Sequence, residues 1–204
     1  MQIVVLGSDE QWESLTDNIT DIEWVKGKAS FSFSDYIQAD AFIILDSTQH
    51  FEYSQTTKPV FINSVTNTLK ELNTPKHVLR INGWNSFLNR ASWEIAGILN
   101  PAANIILEKL NKKPIAVADE PGFVAAKIIA MIINEAYFAL GDGVSDKPAI
   151  DTAMKLGTNY PYGPFEWTEK IGLNNIYTLI QKLSLTDTRY QPAPMLVAAA
   201  GQNK

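Results

Sequence analysis

The feature that most constrains this chain is a change of hydrophobic period near residue 120. Before it, short apolar runs recur at residues 3–6, 22–25, 41–45, 60–62, 78–81, 93–95 and 115–118. Short continuous apolar runs, bounded by glycine and small polar residues, are the pattern of strands buried on both faces of a parallel sheet. Residues 9–19, 66–72 and 100–110 read as connecting helices, the last with Pro101 suited to a first turn. Residues 31–36 fit neither period. Strands alternating with short helices predict an open α/β sheet, and the brevity of several connections predicts a trimmed one.

Asp119-Glu120-Pro121-Gly122 ends that pattern, and everything beyond reads as helical. In 123–140, Val124, Ile128, Ile132 and Ala136 form a stripe at four-residue steps, extended by Ile129, Ile133 and Tyr137. Gly141 and Gly143 close it. A second helix is expected over 148–156, with Ser145 or Asp146 as N-cap and Gly157 as its stop. Further helical segments are expected over 167–171 and 173–183. The expected organisation is therefore a reduced Rossmann-like α/β domain over 1–118 and an all-α domain over 119–204.

Composition narrows the chemistry. The net charge is −5 with no long basic run, which argues against nucleic acid as a partner. Absence of cysteine removes disulfides, thiolate metal sites and cysteine nucleophiles. The two histidines, His50 and His77, lack metal-type spacing, so no metal site is expected. His77 opens a strand, away from the end where ligands of such sheets bind; His50 follows a strand end, as a surface loop residue or a distant candidate base. No apolar stretch approaches the roughly 20 residues of a membrane span, and no basic, apolar leader stands at the start. The expectation is a cytoplasmic protein.

The succession Pro121-Gly122-Phe123-Val124-Ala125-Ala126-Lys127, an apolar helix, Ala149-Ile150-Asp151-Thr152-Ala153-Met154-Lys155-Leu156-Gly157, and Tyr160-Pro161-Tyr162-Gly163-Pro164-Phe165-Glu166-Trp167 carries a family signature. In that order and spacing it resembles the C-terminal helical domain of 3-hydroxyacyl-CoA dehydrogenases. The resemblance implies an NAD-dependent oxidoreductase of fatty-acid metabolism, an acyl-CoA substrate and a homodimer formed through the helical domain. It is specific over the last 80 or so residues and weak before residue 114.

Set against that implication, the first domain departs from a working dehydrogenase. A dinucleotide turn needs Gly-x-Gly-x-x-Gly after the first strand, so that backbone can approach the pyrophosphate and helix can pack on strand. Here Gly7 and Ser8 begin the turn, but Asp9 and Trp12 take the second and third glycine positions. The acids Asp9 and Glu10 suit the positive end of a helix and would repel a pyrophosphate. The second strand ends in Lys26 and Lys28, with no acid for a ribose immediately beyond it.

In the resembled family the base is a histidine in Gly-x-His-Phe-Phe-Asn-Pro, oriented by a glutamate in Leu-Val-Glu, with a serine and an asparagine nearby. The matching stretch is Arg80-Ile81-Asn82-Gly83-Trp84-Asn85-Ser86-Phe87, with Asn85 read at the histidine position. Glu94 in Trp93-Glu94-Ile95 is read as the glutamate, and Asn63 or Ser64 as the serine, Ser64 being preferred. The family asparagine after Pro-Gly-Phe-Val is Ala126, and its arginine is Lys127. An amide takes no proton near neutral pH, so Asn85 cannot be a general base. Two readings follow: a dehydrogenase relative with Glu94, Asn85 and Ser64 around its reacting centre and weak or lost activity, or a non-catalytic acyl-CoA-binding or assembly protein on the same fold.

Overall fold

The structure, a computed structural model, describes residues 1–17 and 19–201. Contacts divide the chain into two units, Met1–Phe123 and Val124–Lys204. The first is built on a seven-stranded sheet in the order β2-β1-β3-β4-β5-β6-β7. Its strands are β1 (Gln2–Leu6), β2 (Glu23–Lys26), β3 (Ala41–Ile44), β4 (Val60–Asn63), β5 (Val78–Ile81), β6 (Ser92–Ala96) and β7 (Lys113–Ala116). The first five run parallel; β6 is antiparallel to β5, and β7 is parallel to β6. The central strands are buried on both faces, which is why they read as continuous apolar runs.

The two faces are covered differently. On one, α1 (Asp9–Thr16) and α2 (Pro101–Lys109) lay Leu15, Ile106 and Leu107 on Ile3, Val5, Ile43, Phe61 and Leu79. On the other, no α-helix is assigned between β2 and β5, and the connections hold 3-10 turns at Phe33–Tyr36 and Tyr53–Gln55. Aromatic rings stand in for the missing helices. Phe31 stacks on Phe42 at 5.8 Å, Phe33 meets Phe42 edge-on at 4.7 Å, and Phe51 lies 4.7 Å from Phe31. Large rings cover much area per residue, so a short connection can still seal a sheet face.

Several sequence expectations are corrected. The helix expected over 9–19 ends at Thr16, and residue 18 lies outside the described residues. Residues 66–72 form turns rather than a helix, because Asp119 accepts the backbone N–H groups of Leu69 and Lys70 and the Glu71 carboxylate takes that of Thr68. The strand expected at 115–118 starts two residues earlier, where Lys113 N–H donates to Ala91 O.

The second unit comprises α3 (Ala125–Gly141), α4 (Lys147–Thr158), α5 (Pro164–Ile171), α6 (Leu173–Ser184) and α7 (Pro194–Gly201), with α5, α6 and α7 packed on α3. The buried face of α3 is Ala126, Ile129, Ala130, Ile133 and Tyr137. Val124 and Ile128, part of the expected stripe, are about half exposed at 54% and 51%. Helix α3 is apolar round most of its circumference, so its period alone does not choose the inner face. Asn134 settles it: its side chain donates to Gln191 O (2.9 Å) and accepts from Ala193 N–H (2.8 Å), gripping the backbone on both sides of Pro192 in the segment before α7. Asp146 is the N-cap of α4, accepting from Ala149 N–H. That helix runs through Gly157 and stops at Asn159, whose φ of 54° takes the left-handed conformation that the glycine was expected to supply.

Candidate functional site

In open α/β sheets, ligands bind beyond the carboxyl ends of the parallel strands. Here that edge is made by the β1–α1 turn, Leu45 after β3, Asn63 ending β4, and the loop from Asn82 after β5. These segments are joined by side-chain hydrogen bonds. Ser8 caps α1: its hydroxyl accepts from Gln11 N–H (3.2 Å), and Gln11 Oε1 accepts from Ser8 N–H (3.0 Å). The same amide reaches onward, Gln11 Nε2 donating to Gly83 O at 2.9 Å. Asn63 links the middle, accepting from Gly83 N–H (3.1 Å) and donating to Leu45 O (3.0 Å). Asn85 Nδ2 donates to Glu10 Oε2 at 2.8 Å. At the outer end, Lys26 pairs with Asp9, and that contact holds the Asp9 carboxyl below its usual range.

Gly83 is required by this belt. A Cβ there would lie 2.7 Å from Asn63 Cβ, closer than real contacts allow. Trp12, at the third fingerprint position, stands edge-on to Trp24 at 6.4 Å.

Deeper in the sheet is a group the sequence reading passed over. Arg80, on β5, is fully buried, with 0% exposure. Its Nε donates to Ser64 O (2.8 Å), its terminal nitrogens bond Asp119, Val65 O and Glu120 O, and its guanidinium lies 4.6 Å above the Phe123 ring. Burial pushes its pKa down and Asp119 pulls it back. The signal available in the sequence was an arginine inside an apolar strand with an acid at 119, since a buried charge needs a partner.

Beside it, Asn82 is buried, at 7% exposure. Its Oδ1 accepts from Trp84 N–H at 3.2 Å, while its Nδ2 has no hydrogen-bond partner among the described residues. Register across β5 and β6 pairs Arg80 with Ala96 and Ile81 with Ile95, so one further step sets Asn82 opposite Glu94. Glu94 is half-buried. Ser64 Oγ donates to Asn67 O (2.8 Å). His50 is exposed, and His77 contacts Tyr53 O at 3.1 Å. Among the described residues no group of His, Asp and Glu side chains could hold a metal ion.

In the helical unit, the Tyr160–Trp167 stretch is a lock. Asp151 Oδ1 accepts from Phe165 N–H (2.8 Å) at the start of α5, and Glu166 accepts from Gly163 N–H (2.9 Å) while pairing with Lys155. A Cβ on Gly163 would fall 2.3 Å from Asp151 Oδ1, so only glycine fits against that carboxylate.

The family description "3-hydroxyacyl-CoA dehydrogenase, C-terminal domain" matches residues 122–204. The likeness to that family lies in the helical unit. Similar curated relatives include 3-hydroxyadipyl-CoA dehydrogenase of Escherichia coli, 42% identical over 92 residues that make up 44% of this chain and 19% of that protein. Another is 3-hydroxybutyryl-CoA dehydrogenase of Bradyrhizobium diazoefficiens, 40% identical over 98 residues, 47% of this chain and 33% of that protein. The matches thus span between a fifth and a third of these relatives' length. Among solved structures, (S)-3-hydroxybutyryl-CoA dehydrogenase PaaH1 from Ralstonia eutropha aligns with a TM-score of 0.71 at 20% identity, covering 98% of this chain and 94% of that one. M. tuberculosis FadB2 aligns with a TM-score of 0.77 at 13% identity, over 98% and 93%. Such identities speak for the fold of the whole chain, a Rossmann-like α/β unit followed by helices.

Asn85, read at the family's histidine position, donates to Glu10, while Asn82 is the buried amide at the end of β5. Gly7 and Ser8 do lie at the first βα turn, as expected. The family implies NAD, but the residues at that turn do not fit it. Ser8 N–H is taken by Gln11, the second glycine position carries the Asp9 carboxylate, and Lys26 pairs with Asp9 where a ribose-binding acid would be expected.

Proposed function

We propose that this chain is a protein of acyl-CoA metabolism that takes an acyl-CoA-type ligand and has lost, or nearly lost, NAD-dependent dehydrogenation. The observation that carries the reading is chemical. Removing a hydride from a 3-hydroxyacyl carbon requires a base at its hydroxyl, and the end of β5 offers two amides, Asn82 and Asn85. Neither accepts a proton near neutral pH, and absence of a general base typically costs about 10²–10⁴-fold in rate. Glu94 is the carboxylate opposite Asn82, and Ser64 the hydroxyl on the neighbouring strand end. Both are candidates to touch an acyl group rather than to drive its oxidation.

The helical unit supports the ligand and assembly side of the reading, since the family description "3-hydroxyacyl-CoA dehydrogenase, C-terminal domain" matches there. A homodimer through α3 and α7 accounts for the exposure of Ile128, Met195 and Val197, apolar side chains that a monomer would leave in water. No described helix is long and apolar enough to cross a membrane.

The test is a paired assay with acetoacetyl-CoA. Calorimetric titration should give saturable binding, while NADH oxidation should stay at least about 100-fold below that of a relative carrying the histidine. Turnover at ordinary rates, abolished by Glu94→Gln, would instead make Glu94 the base and restore the dehydrogenase reading.

A further inference from the structure

The belt across the strand ends does more than tidy a degenerate turn. The first backbone N–H at the start of α1 belongs to Ser8, and in a dinucleotide-binding turn this region faces phosphate oxygens. Here an oxygen is already present: Gln11 Oε1 accepts from Ser8 N–H at 3.0 Å. The other end of that amide crosses to Gly83 O, binding the β1–α1 turn to the β5 loop. Glu10 and Asn85 make a second crossing alongside it. Space is used up as well. The direction of a Cβ from Gly7 meets Gln11 Oε1 and Leu45 Cβ at 3.0 Å, and that from Gly83 meets Asn63 at 2.7 Å.

We infer that the Gln11 carboxamide is a built-in occupant of the dinucleotide crevice, and that the crevice is closed by the chain's own side chains. The inference rests on the reading that dehydrogenation is lost, and gives that loss a cause separate from the missing base. A dinucleotide entering here must displace the Gln11–Ser8, Gln11–Gly83 and Glu10–Asn85 bonds. Each net hydrogen bond corresponds to roughly 2- to 13-fold in affinity, the exposed pairs at the low end, so the three together weaken binding by roughly 10- to 10³-fold. A pyrophosphate would also meet the Asp9 and Glu10 carboxylates beside it.

The experiment titrates the full chain with NADH by calorimetry, beside acetoacetyl-CoA, and repeats both on Gln11→Glu and Gln11→Ala. Glutamate keeps the oxygen that caps Ser8 but removes the donor to Gly83, so it cuts the crossing while sparing the helix cap. The wild type should show no saturable heat with NADH up to millimolar concentration. Gln11→Glu should lower the melting temperature by a few degrees with Ser8 amide exchange unchanged; Gln11→Ala should also speed that exchange by about fivefold. Micromolar NADH binding to the wild type without turnover would overturn this inference and leave the lost-activity reading standing. NADH binding with turnover would overturn both. Unchanged melting in Gln11→Glu would show that the crossing holds nothing, and would overturn the inference on its own.

Discussion

The two units of this chain have kept different things. The helical unit shows its likeness in sequence: the family description begins at residue 122. The α/β unit shows its likeness in topology, a mainly parallel sheet in a chain whose whole length aligns with PaaH1 and FadB2 at 13–20% identity. The difference has a physical cause. A buried parallel sheet asks for apolar, β-branched or aromatic residues and accepts many combinations. The helical unit is held by atom-level fits, such as Asp151 against Gly163 and Asn134 against the segment before α7, where one substitution leaves either a clash or an unpaired polar group.

The comparison breaks if a single site in the α/β unit proves as demanding as those locks, and Arg80 is the one to try. Arg80→Ala leaves the carbonyls of Ser64, Val65 and Glu120 without their donors and Asp119 without its cation, and should cost about 3–5 kcal/mol in chemical denaturation. A loss below 1 kcal/mol would mean water replaces the guanidinium. Gly163→Ala should follow, at about 2–3 kcal/mol, with the Phe165 amide losing protection from hydrogen exchange as Asp151 is pushed off. If its midpoint stays put, the Tyr160–Trp167 loop is softer than its packing indicates.

Acid gives a smaller effect with a defined sign. Burial raises the Asp119 pKa, but the bonds from Leu69, Arg80 and Lys70 outweigh it and leave the group below its ordinary 3.8. The unfolded chain therefore takes up the proton first. The carboxylate's contribution is whole above pH 4 or so and declines as pH falls through the folded value. Asp119→Asn should flatten that acid limb. Smallest of all, Lys26→Gln should leave the denaturation midpoint essentially where it is, since its pair with Asp9 is exposed on both sides and screened by water.

Much of the architecture is legible in the sequence because buried strands and turn residues announce themselves locally. The runs around Ile3, Phe42, Phe61 and Leu79 became strands, and the switch at Pro121-Gly122 marks the passage to helices. What could not be read was set by partners far along the chain. The inner face of α3 is chosen by Asn134 and residues nearly 60 positions away. Residues 66–72 are kept out of a helix by Asp119. At the site, the missing glycines were visible, but Gln11 as their replacement was not, because its partner Gly83 lies 72 residues on.

The rim of the sheet has a consequence for how this protein can associate. Its outermost strands, β2 and β7, are short. The first carries Glu23 and Lys26, and the second opens with Lys113 and Pro114, a residue with no N–H to offer a neighbour. Both borders thus discourage a foreign strand from extending the sheet. A chain whose sheet does not invite added strands carries its own protection against the ladder-like aggregation to which open sheets are prone.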